Sequence, residues 1–417
     1  MKSQRSHVDD LRGVSRLAFE ATRGVTALVE AMHVTIASGP AILGQPLAAP
    51  ARSVTRPIYG LLQGVMRLIG GGIDRALAQL APLLGESAPG SEREAVLAVL
   101  NGVLGDYLSE RGNPLAIEVR LRHAGKPLAL TADALRAAFP HATGKLVILV
   151  HGSCMNDLQW TRRDHDHGAA LARDLGYTPV YVHYNTGLHV STSGRALAGL
   201  LDPLVTGWPV ALDDLAIIGH SMGGLVARAA CHAGEQAGHA WRPRLRSLIT
   251  LGTPHHGAPL ERGGAWIDLL LGLSRYSAPL ARLGQIRSAG VTDLRHGNVR
   301  DEDWQGHDRF AHRDDRRQPL ALPAGVRCYA IAGTLAPEAD ARPPGDGLVP
   351  VASAFGVHPT PALTLAFPDA QRWLALGTGH IDLLDAPAVY ERVRSWLASD
   401  GDATDEPVVP APPAPAM

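Results

Sequence analysis

The sequence contains few cysteines, few aromatic residues and almost no excess charge. Its three cysteines show neither a CxxC pair nor a Cys/His zinc spacing, which argues against a disulfide framework and fits a reducing compartment. Aromatic residues make up 5% of the chain. The formal net charge of −1 provides no global attraction for nucleic acid, so we expect no nucleic-acid partner.

Long apolar runs are missing as well. No uncharged apolar run reaches the length of about 18 residues that a membrane-spanning helix needs. The first ten residues lack the apolar core of a secretory signal. With 46% hydrophobic and 19% charged residues, the composition is that of a soluble globular protein. We therefore expect a cytoplasmic location, and contact with a membrane surface depends on the N-terminal region.

Residues 1–112 are predicted to form a helical N-terminal region. Apolar residues recur at helical spacing over residues 8–32, 54–80 and 95–108. Nine basic residues face five acidic residues in residues 1–85. Two interpretations stay open. The helices pack on each other or on the rest of the protein, or they form a peripheral contact with an anionic lipid surface.

Residues 113–398 have the pattern of a mostly parallel, doubly wound α/β sheet. Alternating apolar residues from 115 to 121, followed by the turn Gly125-Lys126-Pro127, predict an antiparallel edge hairpin. Buried strands are predicted at residues 145–150, 179–184, 215–218, 245–251, 326–332 and 363–367. Helices are predicted at residues 165–175, at 193–204, from 223 onward and at 386–397. The Pro-rich residues 399–417 are predicted to be a disordered tail.

A long insertion interrupts this alternation at about residues 260–320. Its first part, residues 260–290, is predicted to be a cap over the site, since long insertions between strands are usually functional. Residues 295–317 are predicted to be a solvated loop. Its histidines, His296, His307 and His312, lack metal-ligand spacing and are expected on the surface.

A Gly-x-Ser-x-Gly motif joins the strand at residues 215–218 to the following helix. A serine on so sharp a turn adopts strained backbone geometry, and Gly219 and Gly223 leave room for neighbouring backbone. The turn presents the hydroxyl of Ser221 at the end of the sheet, where the helix directs its first amides. Ser221 is therefore the candidate nucleophile, and an ordinary tight turn is the alternative.

A serine nucleophile needs a base and an acid that orients the base, on loops after later strands. Asp346, between two glycines, is the candidate acid, and His380 is the candidate base. Glu338 and Asp340 share the acid's loop but lie in a polar stretch that looks solvated. The rival histidines fit less well: His255 and His256 precede the acid and are expected to line the site or order its loop, and His358 precedes the last strand.

The oxyanion hole requires two backbone N–H donors. Met222, directly after the nucleophile, is one candidate. Ser153, in the loop after residues 145–150, is the other, with Cys154 as its alternative. Cys154 is also a formal rival nucleophile, but it lacks an elbow and a base at suitable spacing.

Five blocks in this order resemble the α/β-hydrolase superfamily, and within it bacterial triacylglycerol lipases and inositol-deacylase-type lipid esterases. The blocks are His151-Gly152, residues 219–228 around Ser221, residues 251–257 with His255 and His256, residues 345–349 around Asp346, and residues 379–382 around His380. The resemblance implies an α/β-hydrolase fold, and His151, Gly152, His220, His255 and His256 are expected to line the site. Some of these lipases bind calcium through an aspartate two residues after the base. Asp382 matches that position, but no other ligand can be assigned.

The expected function is therefore that of a serine esterase or lipase acting on acyl-ester or lipid substrates through an acyl-enzyme, with neither cofactor nor metal. Acyl transfer, thioester hydrolysis or depolymerisation of an intracellular polyester are alternatives on the same triad. A scaffold or lipid-surface protein with an inert hydrolase fold is an alternative of another class.

Overall fold

The structure is a computed structural model that describes residues 90–258, 288–306, 315–338 and 343–399. Several predictions concern residues outside these ranges. They are the helices at 8–32 and 54–80, most of the cap at 260–290, His307, His312, Asp340 and the tail after residue 399. Among the residues that the structure describes, no helix is long and apolar enough to cross a membrane.

The described chain forms one sheet flanked by helices. The strands are β1 (Arg120–His123), β2 (Lys126–Pro127), β3 (Lys145–Val150), β4 (Thr178–His183), β5 (Asp214–His220), β6 (Leu245–Leu251), β7 (Arg327–Gly333) and β8 (Arg372–Ala375). The helices are α1 (Gly90–Glu110), α2 (Ala132–Ala138), α3 (His167–Leu175), α4 (Val190–Thr206), α5 (Met222–Gln236), α6 (Ala289–Asp293), α7 (Val351–Ala354) and α8 (Pro387–Ser399).

The sheet has the order β2-β1-β4-β3-β5-β6-β7-β8. Strands β3 to β8 pair in parallel, and β1 pairs antiparallel with β4 and with β2. The strand order reverses at β3, which lies between β4 and β5. Because loops diverge at such a switch point, a crevice forms there at the carboxyl ends of the strands. The predicted fold class, a mostly parallel sheet with an antiparallel edge hairpin, is confirmed for these residues.

Each central strand contributes side chains to two cores, one on each face of the sheet. Leu146, Ile148 and Val150 of β3 pack in the core that also holds α1, α4 and α5. Val147 and Leu149 pack in the opposite core with α3 and α8. Strands buried on both faces read as continuous apolar runs, which is why β3 and β6 have the predicted bounds.

The edge hairpin is shorter than predicted. Its turn lies at Ala124 and Gly125, which both have positive φ angles, and residues 115–119 are irregular. The N–H of Ile117 donates to Asn101 Oδ1 at 2.8 Å, and that of Leu115 donates to Asn113 Oδ1 at 2.9 Å. These side chains satisfy the backbone where a strand partner was expected.

The strand predicted at residues 363–367 is wrong. A 3₁₀ turn covers Pro361–Leu363, and the last strand is β8, at Arg372–Ala375. Leu365 and Phe367 are buried at 6% exposure each, but they belong to an irregular segment whose Leu365 N–H donates to Gly356 O. The apolar alternation therefore reflects burial without strand pairing. His380 still follows the last strand.

Helix α1 is a core element of the described fold. Its residues from Val96 to Leu100 are 0–3% exposed, and they share a core with β3 and β5. Of the two interpretations left open for the N-terminal helices, packing on the rest of the protein is the one that this helix follows. Residues 96–106 are buried all round, so the helix is enclosed on more than the one face expected of an amphipathic stripe.

The loop predicted to be solvated is half-buried where it is described. Gly297, Asn298 and Val299 are buried, and His296 is intermediate instead of a surface residue. The Arg317 side chain is 8% exposed and donates to the carbonyl oxygens of His255 and Gly297. These contacts fasten the segment to the loop after β6.

Candidate active site

Ser221 lies on the sharp turn between β5 and α5. Its φ of +54° and ψ of −125° are unusual for a residue other than glycine, and such strain concentrates at functional sites. A Cβ atom on Gly219 would lie 2.6 Å from Gly224 Cα, and one on Gly223 would lie 2.1 Å from Val150 O. Only glycine fits at these two flanking positions, and the glycines therefore allow the predicted elbow to form.

Asp346 and His380 form a buried pair. His380 Nδ1 lies 2.7 Å from Asp346 Oδ2, and the two side chains are 2% and 1% exposed. Asp346 Oδ1 accepts from the N–H groups of Leu348 and Val349 at 2.9 and 2.7 Å. Because a carboxylate can only accept, the proton of the imidazole lies on Nδ1, and its Nε2 is free to act as a base.

His220 joins the elbow to the loop that carries His380. Its Nε2–H donates to His380 O at 3.0 Å, and the two rings lie 4.8 Å apart. Burial, reinforced by the neighbouring His380, lowers the pKa of His220 well below its usual value. His220 is therefore neutral at physiological pH and serves as a fixed donor.

Gly252, directly after β6, lies beneath the pair of Asp346 and His380. A Cβ atom there would lie 3.0 Å from Asp346 Oδ2 and 3.2 Å from His380 Nδ1, and its φ is +56°. Any side chain at this position would displace the pair and strain the backbone. Gly252 belongs to the block of residues 251–257, but no pattern in the sequence predicted a role for it.

The loop after β3 lies against Ser221. A Cβ atom on Gly152 would lie 3.1 Å from Ser221 Cβ. Met222 is the first residue of α5, so its N–H has no acceptor within the helix. The N–H of Cys154 donates to Thr186 Oγ1 at 3.0 Å. Since Cys154 has already used its donor, the geometry favours Ser153 over Cys154 as the second oxyanion donor.

The structure disfavours a cysteine nucleophile at residue 154. Burial raises the pKa of the Cys154 thiol to about 11, and the residue is 5% exposed. A thiol in such surroundings is protonated and inert at neutral pH.

His151 supports the loop after β3. Its Nδ1–H donates to Gly152 O at 2.9 Å, and its ring stacks on Tyr184 with centroids 4.4 Å apart. The Tyr184 hydroxyl donates to His151 O. Burial lowers the pKa of His151 to about 3, so the residue is a neutral part of the wall next to the elbow.

His255 and His256 order the loop after β6. His255 is buried between Arg228 and Thr250, and His256 Nε2–H donates to Gly356 O at 2.9 Å. Among the described residues, neither histidine forms a hydrogen bond or a ring contact with Ser221 or His380. Of the two roles that the sequence left open for them, the geometry favours ordering of the loop.

The loop of residues 381–386, after His380, is held by the segment before α3. Arg163 Nη2 donates to Asp382 Oδ1 at 3.2 Å, and Arg163 and Arg162 lie 3.4 and 3.6 Å from the buried carboxylate of Asp385. Asp382, the position considered for calcium, thus pairs with a guanidinium group. Within the described residues, no group of three or more acidic, histidine or cysteine side chains could hold a metal ion.

A serine elbow and a buried histidine–aspartate pair at the carboxyl edge of a doubly wound sheet are the features of the α/β-hydrolase fold. Residues 208–319, roughly a quarter of the chain, match the family model of the PGAP1-like alpha/beta domain. The strand order, the elbow and this match confirm the superfamily that the sequence motifs indicated.

Several solved structures are similar to this chain. The Bacillus licheniformis lipase BlEst2 in mature form is 18% identical, with a TM-score of 0.41, over 67% of this chain and 98% of that chain. A Pyrococcus furiosus esterase is 16% identical, with a TM-score of 0.34, over 62% and 82%. EstA from Clostridium botulinum is 12% identical, with a TM-score of 0.34, over 62% and 87%. A search of curated proteins found no match. At this level of identity the similarity transfers no activity.

Proposed function

We propose that this protein is a serine hydrolase that cleaves carboxylic esters, with lipid esters as its substrates, through an acyl-enzyme intermediate. The observation that carries the proposal is the buried pair of His380 and Asp346, joined at 2.7 Å, next to an elbow that holds Ser221 at a φ of +54°. A strained serine beside a paired, oriented imidazole is the arrangement that nucleophilic catalysis requires.

In the proposed mechanism, Ser221 Oγ attacks the carbonyl carbon of the ester while His380 Nε2 takes the hydroxyl proton. Asp346 keeps the other imidazole proton on Nδ1 and stabilises the imidazolium. The N–H groups of Met222 and Ser153 donate to the oxyanion. His380 then gives its proton to the departing alcohol, and a water activated by the same imidazole releases the acid.

An exposed leucine beside the candidate residues supports an apolar substrate. Leu335 is 58% exposed, and its methyl groups lie 3.6–3.7 Å from where Cβ atoms of Gly379 and Gly347 would be. Leu376, four residues before His380, is 42% exposed. Apolar side chains at the rim of these loops can contact an acyl chain or the surface of a lipid aggregate.

The test is hydrolysis of p-nitrophenyl esters of graded chain length by the wild-type protein and by Ser221→Ala. The variant should lose about a thousandfold or more of kcat with its melting temperature retained, because it removes one hydroxyl and little packing. Ser193→Ala is the matched control. It is also a buried serine, 1% exposed, whose hydroxyl has no hydrogen-bond partner among the described residues.

Labelling with a fluorophosphonate probe distinguishes an active serine hydrolase from a scaffold protein with an inert hydrolase fold. Wild-type protein and Ser193→Ala should be labelled, and Ser221→Ala should not. A folded wild-type protein that neither reacts with the probe nor hydrolyses any ester of the series would refute the proposal. A rate that rises with chain length would support the lipid part of the assignment, and a rate that falls steadily from acetate would contradict it.

A further inference from the structure

Cys154 holds an unusual position in the loop after β3. Its φ is +59°, in the left-handed region that residues other than glycine seldom occupy. Its N–H donates to Thr186 Oγ1 at 3.0 Å. Its Sγ packs on α1, where a Cβ atom on Gly102 would lie only 2.2 Å from it. A hydrogen bond on one side and a helix on the other thus fix the strained residue.

Helix α1 also supports the segment that carries Thr186. Asn185 Nδ2 donates to Gly105 O at 2.9 Å, and a Cβ atom on Gly105 would lie 1.8 Å from Asn185 Oδ1. A Cβ atom on Gly187 would lie 2.2 Å from Asn101 O, so the two backbones are in close approach. The same helix face therefore positions both the thiol of Cys154 and the acceptor of its N–H.

Ser153 lies between two fixed points. On one side, Gly152 approaches Ser221, and on the other, Cys154 is held by Thr186 and α1. The Ser153 N–H belongs to the planar peptide unit between Gly152 and Ser153, and the chain on the other side of Ser153 is anchored through Cys154. A displacement of Cys154 therefore redirects this N–H relative to Ser221.

We propose that α1 is a positioning element for the oxyanion hole, acting through Gly102 on Cys154 and through Gly105 on the segment of Thr186. This inference rests on the proposed function, since it concerns the donor assigned to Ser153. Oxyanion donors act by being fixed in advance where charge develops in the transition state. A helix that precedes the sheet in sequence thus affects the chemical step without contacting the substrate.

The first variant is Gly102→Ala, whose methyl group would collide with Cys154 Sγ. We expect kcat to fall by about 10²-fold, as when an oxyanion donor is lost, with little change in KM. Cys154→Gly should suppress this loss, because glycine removes the sulfur and adopts the positive φ without strain. The double variant should regain at least about tenfold in kcat over Gly102→Ala.

The second variant, Thr186→Val, keeps the branched shape of the side chain and introduces no collision, so it tests the inference even if Gly102→Ala fails to fold. It removes the acceptor of the Cys154 N–H, and we expect a loss of about tenfold in kcat. Thr186→Ser keeps the hydroxyl and should retain the wild-type rate. Equal rates for Thr186→Val and Thr186→Ser would overturn the inference.

Gly234→Ala is the control for destabilisation alone. Its Cβ atom would lie 2.6 Å from Trp241 Cζ2, a comparable collision far along α5. It should lower the melting temperature and leave kcat unchanged. If Gly102→Ala and Gly234→Ala lose stability alike and both keep their kcat, α1 only packs and the inference fails. A wild-type protein without any esterase activity or probe labelling would instead refute the proposed function, and the inference with it.

Discussion

Acid should destabilise this protein strongly, because four histidines are completely buried as neutral rings. His151, His167, His220 and His255 are each 0% exposed. Burial is the largest cause in each case, and it lowers the pKa of His151 to about 3, that of His167 to about 4, and those of His220 and His255 well below the usual range. None of the four gains a compensating carboxylate contact at hydrogen-bond distance within the described residues.

The direction of the effect follows from proton binding. The unfolded chain binds protons at these imidazoles below about pH 6.5, whereas in the folded protein His151 binds one only at about pH 3 and His167 at about pH 4, and burial opposes protonation of His220 and His255 as well. The free energy of unfolding must therefore fall as pH decreases below 6.5. Between pH 7 and pH 5 the loss is about 2 kcal/mol for each of His151 and His167, or about 4 kcal/mol for the two, and His220 and His255 act in the same direction. This is a large part of the whole stability of a typical domain, about 5–15 kcal/mol.

Urea unfolding at a series of pH values, followed by circular dichroism, measures this loss. His167→Gln should flatten the dependence by about 2 kcal/mol between pH 7 and pH 5, because one proton-binding site of the unfolded chain is gone. His141→Gln, on an exposed side chain, is the matched control and should keep the wild-type dependence. A wild-type stability that changes by less than about 2 kcal/mol over this range would refute the reasoning.

Two further predictions concern the candidate site. Asp346→Asn should preserve the fold but favour the wrong imidazole tautomer, with a loss of about 10⁴ in kcat, whereas Glu338→Gln, on an exposed carboxylate of the same loop, should leave the rate unchanged. A silent Asp346→Asn would mean that another acid orients His380. Since Arg163 pairs with Asp382, removing divalent ions with EDTA or adding calcium should change neither kcat nor the melting temperature of the wild-type protein. A calcium-dependent rise in melting temperature would contradict this prediction and show that the protein binds calcium.

Local patterns predicted the central sheet well. The bounds of β3 and β6 agree with the sequence because continuous apolar runs between polar residues mark strands that are buried on both faces. Strand β8 was missed because its sequence, Arg-Trp-Leu-Ala, lies at the sheet edge and is only half-buried over three of its four residues. The stronger pattern at residues 363–367 came from two side chains, Leu365 and Phe367, that insert into the core from an irregular segment.

The contacts that hold the candidate site in place could not be predicted, because they join residues that are far apart in the sequence. Gly102 and Cys154 are separated by three strands and a helix, and neither carries a recognisable signal for the other. One clue was available for α1. Five consecutive apolar residues from Val96 to Leu100 indicate a buried helix and not one that lies on a surface.

The candidate catalytic residues could be named from the sequence because their side chains define motifs, whereas the residues packed against them are glycines, which have no side chain. Gly152 follows β3, Gly252 follows β6, and Gly333 ends β7. Cβ atoms at these three positions would lie within 2.9–3.1 Å of Ser221 or Asp346 atoms. The carboxyl ends of parallel strands meet at one edge of the sheet. Where the candidate side chains pack together at that edge, the backbone beneath them has no room for a Cβ atom, so only glycine fits there. In a crevice of this kind, a glycine directly after a buried strand is therefore evidence for a reacting side chain packed against it.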